Sequence, residues 1–104
     1  MTFAEFVSSA KADSAPPAGL GRALQALWHD RRDQWPEAHA LVQAAGKAAT
    51  EQSAGAWVHA YLHRKEGDSD NAAYWYRQAG QPVAQGALVA EWEQIARTLL
   101  QNGP

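Results

Sequence analysis

The segment EAHALVQAAG at 37–46 returns as NAAYWYRQAG at 71–80, and this recurrence at a spacing of 34 residues constrains the fold more than any other feature. Ala38 falls on Ala72, Val42 on Tyr76, Ala45 on Ala79 and Gly46 on Gly80. The preceding segments superpose under the same shift: Leu24 on Val58, Ala26 on Ala60, Leu27 on Tyr61, Trp28 on Leu62, His29 on His63 and Asp33 on Gly67. A further step of 34 sets Trp92 on Val58 and Ile95 on Tyr61, so the last segment repeats the first half of the unit. A repeat of this length is one helix-turn-helix, which cannot bury its apolar face alone and must stack on a neighbour.

Helix formers dominate, and no stretch alternates apolar and polar residues with β-branched enrichment, so the chain reads as all-α. Thr2 followed by Glu5 has the spacing of a capping box and predicts a first helix to about Ala12, followed by a linker at DSAPPAG. A second helix is expected from about Ala18 to Arg32, and Pro36 opens a third that stops at Gly46. Ser53 can cap a fourth helix ended by Gly67, and Ser69 or Asp70 a fifth ended by Gly80. Pro82 precedes a long sixth segment to Asn102, weakened near its start by Gly86. The division is therefore an N-terminal helix and linker (1–17), one repeat (18–46), a second (53–80) and a terminal capping helix (82–102), all in a single domain. Short connections favour antiparallel neighbours, giving a short right-handed array of about six helices in hairpins.

Composition narrows the partners. A chain of 104 residues, 46% hydrophobic and 19% charged, is the size of one soluble domain with one core. It has no cysteine, which removes disulfides and thiolate metal sites. A net charge of -2 with scattered basic residues offers no footprint for nucleic acid. No apolar run approaches the roughly 20 residues of a membrane span, and MTFAEFVSSAKADSAPP lacks the basic start and apolar run of a signal peptide. A cytoplasmic location is expected.

The turn and second helix of the later unit, GDSDNAAYWYRQA at 67–79, resemble a tetratricopeptide repeat, with Gly67, Ala72, Tyr76 and Ala79 at its turn, small, aromatic and small positions. The tail AAYWYRQAG is similar to the Sel1-like variant through Trp75, Tyr76, Arg77 and Ala79. AH at 38–39, WVHAYLHRKEGD at 57–68 and NAAYWY at 71–76 also resemble a group of small uncharacterised bacterial proteins, a likeness that brings no function with it. The repeat resemblance implies a non-catalytic interaction module that holds a peptide or partner protein in a groove between stacked hairpins. Self-association through the terminal helix is compatible with an array this short. The fourth helix departs from the pattern: counting back from Gly67 puts Ala56, His59, Ala60 and His63 where bulky residues usually face the partner helix. Either that helix is longer than standard or its histidines are buried.

Candidate chemistry concentrates on this helix. Trp57, Val58, Tyr61 and Leu62 share one arc, while His59, His63 and Glu66 form a stripe on the other. Two imidazoles at i and i+4 can coordinate one divalent ion such as zinc, with Glu66 as a third ligand or base and His39 reaching in from the neighbouring hairpin. The competing account is a packed, hydrogen-bonded pair; the run is His-Ala-Tyr-Leu-His, so the glutamate of the zincin motif is replaced by Ala60. A metal-dependent or histidine-based enzyme centred on His59 and His63 is thus the alternative function. For the interaction reading, the expected contact residues are His39, His59, His63, Arg64, Glu66, Tyr74 and Arg77, and no cofactor is required. The acids of KEGDSD are read as helix caps, and Trp28, Trp35, Trp57 and Trp92 as core or inter-repeat packing, with Trp75 at the edge of the apolar stripe of the fifth helix.

Overall fold

The computed structural model describes residues 1–43 and 49–102, and among these residues six α-helices and no strands are present. They are α1 (Phe3–Ala12), α2 (Arg22–Arg31), α3 (Trp35–Gln43), α4 (Ala49–Lys65), α5 (Ser69–Ala79) and α6 (Leu88–Asn102). The fold is all-α. The capping box forms: Glu5 N–H donates to Thr2 Oγ1 at 3.1 Å and Thr2 N–H to Glu5 Oε1 at 2.8 Å.

Several boundaries differ from the sequence expectation. Helix α2 begins at Arg22 rather than Ala18, because Gly19 has φ +86° and Gly21 is the extended N-cap residue. Ser53 does not cap α4, which is already helical from Ala49; the stop expected at Gly46 lies outside the described residues. The cap of α5 is Asp68, not Ser69 or Asp70, and its carboxylate accepts the Asn71 N–H at 3.2 Å. Helix α6 starts only at Leu88, and the Gly86 carbonyl accepts a hydrogen bond from the Arg64 guanidinium instead of entering a first turn.

The corners α2–α3 and α4–α5 are built alike, one 34-residue step apart. Asp33 N–H donates to Asp30 O at 3.0 Å and Gln34 N–H to His29 O at 3.0 Å; Gly67 N–H donates to Arg64 O at 3.1 Å and Asp68 N–H to His63 O at 2.9 Å. Each corner turns through one left-handed residue, Asp33 at φ 58° and Gly67 at φ 91°. Two bonds running back onto the last turn satisfy carbonyls that the helix leaves without partners. The first corner uses aspartate because its short polar side chain tolerates this conformation better than most.

Helix α4 is the centre of the molecule. It packs against α2, α3, α5 and α6, and everything from Ala56 to His63 is buried. It is the longest helix among the described residues, and its histidines are buried, which is the second of the two explanations offered. Helix α6 lies across α2 and α4: the Trp92 indole N–H donates to Leu27 O at 3.0 Å and its ring stacks on Phe6 of α1 at 5.7 Å. Helix α1 is tied down by the Trp28 indole N–H on Ser9 Oγ at 3.1 Å and by Arg32 on the carbonyls of Ala10 and Asp13. Helix α1 therefore covers part of α2, and α6 covers α2 and the Tyr61 side of α4.

Candidate functional site

The two faces of α4 carry different polar chemistry. Two residues along a helix rotate the side chain by about 200°, which sets Tyr61 and Lys65 opposite His59 and His63. On the Tyr61 side the buried Asp30 carboxylate accepts from Tyr61 Oη at 2.8 Å and from Lys65 Nζ at 2.9 Å. Burial, followed by the Asp30 charge, raises the Tyr61 hydroxyl well above its ordinary range, so it stays a donor. A cleft of about 250 Å³ lies over this group, but its buried carboxylate is already satisfied. Farther along, buried Glu91 accepts from Arg64 Nη1 at 2.9 Å and from Tyr76 Oη. Both clusters fasten helices together.

The other face holds the histidines. His59 and His63 are 5% and 7% exposed, and His39 of α3 meets them from the neighbouring hairpin. One ring nitrogen from each lies within 4.8 Å of the other two, and His39 Nε2 and His59 Nε2 share a hydrogen bond of 3.0 Å. Two indoles wall the cluster: Trp35 stacks on His39 at 4.7 Å with 10° between planes, and Trp75 stacks on His59 at 4.1 Å with 17°. The Trp35 N–H donates to Leu62 O at 2.9 Å, which fixes that wall to α4.

Burial is the main cause, and the neighbouring His39 and His63 rings the next, of a His59 pKa pushed down to about 4. His39 is also lowered, by burial first and then by His63, with Glu66 opposing. At neutral pH these two rings are uncharged. Each offers a lone pair, and the close approach of three imidazoles costs little only in this uncharged form.

His63 Nδ1 is buried without a hydrogen-bond partner, and the nearest acid, Glu66 Oε2, stands 3.7 Å away. The fourth histidine, His29, is engaged elsewhere, with Nδ1 at 2.7 Å from Gln34 Oε1.

The expected contact residues thus divide. His39, His59 and His63 converge, with Glu66 at the margin. Arg64 turns to the opposite side, onto Glu91 and Gly86. Tyr74, 46% exposed, and Arg77 lie on the outer surface of α5 and do not join the cluster. The seven residues do not line one open groove. Trp35, expected as packing, and Trp75, expected at the edge of the fifth helix's stripe, are the members that the sequence did not single out for the site; the signal for Trp35 was its position four residues before His39, which sets both on one face. No family model, curated protein or solved structure matches the chain.

Proposed function

We propose that this protein is a metal-binding helical domain that holds one divalent transition-metal ion between His39, His59 and His63. The observation that carries the reading is the convergence of three ring nitrogens within 4.8 Å, two of them on buried side chains. Zinc–imidazole bonds of ~2.0–2.1 Å in a tetrahedron set ligand nitrogens ~3.3–3.4 Å apart. His39 Nε2 and His59 Nε2 stand 3.0 Å apart, near that spacing, and the His63 nitrogen, within 4.8 Å of the others, has to close by up to ~1.5 Å for the three to share an ion. An all-imidazole set suits zinc, copper, nickel or cobalt rather than calcium or magnesium. Three protein ligands leave one coordination position, which the half-buried His39 side opens to water.

The ion's first effect would be mechanical. It cross-links α3 to α4 and so fastens one hairpin to the next, in the tetratricopeptide-like arrangement we propose for the chain. Binding to the folded state alone stabilises by ~2.7 kcal/mol at a free concentration 100 times Kd. The test is the metal content of the purified protein, followed by thermal shift and calorimetric titration with zinc, nickel and cobalt. One equivalent bound, with a rise in Tm that disappears in a His59→Gln, His63→Gln double variant, is the expected result. Neither stoichiometric metal nor any rise in Tm would overturn the reading.

A further inference from the structure

The buried His63 Nδ1 is the one side-chain polar atom among the described residues that is sealed from water and left without a hydrogen bond. Such an atom is unfavourable to bury unless a partner reaches it. Two carboxylates are in range, since His63, Glu66 and Asp68 also bring ligand atoms within 4.8 Å of one another. They are not equivalent. Asp68 caps α5, accepting from the Asn71 backbone N–H and from Asn71 Nδ2, both at 3.2 Å. The Glu66 carboxylate lies nearest, with Oε2 at 3.7 Å from Nδ1, one turn along the same helix.

The repeat supplies an internal comparison. His29 occupies in the first unit the position that His63 occupies in the second, 34 residues later, and the backbone carbonyl of each accepts a hydrogen bond from the equivalent residue of its corner, Gln34 or Asp68. In the first unit the imidazole Nδ1 is already engaged, by Gln34 Oε1 at 2.7 Å. The residue equivalent to Gln34 is Asp68, which is committed to its cap, so in the second unit the partner must come from elsewhere on the corner. Glu66 needs to close by less than ~1 Å to reach an ordinary N–H···O distance.

From these contacts we infer that Glu66 is the positioning residue of the three-histidine site: its carboxylate takes the Nδ1–H of His63 and leaves Nε2 as the metal-binding atom. The inference rests on the metal reading for its functional meaning, but the hydrogen bond itself belongs to the metal-free protein. A neutral imidazole carries one proton on either nitrogen, and the partner of one nitrogen decides what the other can do. Without an acceptor at Nδ1 the proton can move to Nε2, and the lone pair then faces Glu66 instead of the ion. The negative carboxylate also makes the ring a stronger donor to the ion, which the neutral amide of glutamine would do less well.

The test uses the full chain in two arms. In the metal-free protein, long-range proton–nitrogen NMR reads the tautomer of His63 directly; Nδ1–H is expected in the wild type, and a shift toward Nε2–H in Glu66→Ala. In the metal-binding arm, zinc or cobalt affinity is expected to fall ~10- to 100-fold in Glu66→Ala, with Glu66→Gln in between because its amide oxygen still accepts. Asp68→Asn serves as control and should leave the affinity within ~3-fold of the wild type. A wild-type His63 already in the Nε2–H form, or an unchanged tautomer and affinity in Glu66→Ala, overturns the inference. A wild type that binds no metal but changes tautomer in Glu66→Ala overturns the metal reading alone. Two bound ions, reduced to one by either acidic substitution, would make Glu66 a ligand and would also overturn the positioning role.

Discussion

Replacing Trp92 by phenylalanine separates what holds the fold closed from what builds the histidine cluster. The indole is 2% exposed, donates to Leu27 O at 3.0 Å, stacks on Phe6 and lies under the Arg31 guanidinium at 4.7 Å. Phenylalanine keeps a ring for Phe6 and Arg31 but loses the N–H, worth ~1 kcal/mol, and part of the buried ring surface, worth ~1–2 kcal/mol with the gap it leaves. The expected loss is ~2–3 kcal/mol, or roughly 10–15 °C in Tm for a domain of this size. Urea titration followed by far-ultraviolet circular dichroism measures the first, and a thermal melt the second. Because Trp92 packs on the Tyr61 side of α4 and the histidines lie on the other, zinc affinity of the folded variant should stay within ~2-fold of the wild type. A loss below ~0.5 kcal/mol would mean that the indole is no closing contact. A tenfold change in affinity would refute the separation of the two faces.

Three further outcomes are expected. With chelator present, His59 gives acid sensitivity: its folded pKa of about 4 lies below the unfolded value of about 6.5, so the unfolded chain binds the extra proton between them and stability falls as pH drops. The loss from this group between about pH 7 and pH 5 is ~2 kcal/mol, and His59→Gln should escape it in urea melts at the two pH values; equal losses would show that the proton goes elsewhere. Asp30→Ala strands the Tyr61 hydroxyl and Lys65 ammonium that it binds at 2.8 and 2.9 Å. It should cost ~3 kcal/mol in chemical denaturation, with Asp30→Asn milder. Gly67→Ala forces a side chain to φ +91° where an added Cβ meets nothing within 4 Å, so the cost is purely conformational, ~1 kcal/mol by thermal melt; no change would argue against the left-handed corner.

What could be read from the residues was local. Thr2 and Glu5 announce a helix start because a capping box is completed within four residues, and Gly67 and Gly80 announce stops because few other residues accept a positive φ. The spacing of 34 located two equivalent corners, down to Asp33 in place of Gly67. Facing was harder. Helix α4 is covered on nearly every side, so its periodicity carries no direction, and neither arc of it could be assigned to core or surface from spacing alone. The approach of His39 depends on how two hairpins stack, and the covering of α2 by α6 depends on a contact across most of the chain. Neither is encoded in a short window. Trp75 stood only at the edge of the α5 stripe for the same reason: packing alone reveals that its face is spent on His59.

The covering of α2 and α4 by the outer helices also has a temporal meaning. The bond from Trp92 to Leu27 joins residues 65 apart, whereas His59 and His39 are separated by 20. Closing a longer loop loses more chain entropy, so contacts close in sequence tend to form ahead of distant ones. During refolding the α3–α5 segment should therefore bring its imidazoles together before α6 docks across the bundle. An ion present at that stage would meet its ligands in a partly folded chain and act as a nucleating cross-link, while the terminal helix closes last, against the opposite face of α4.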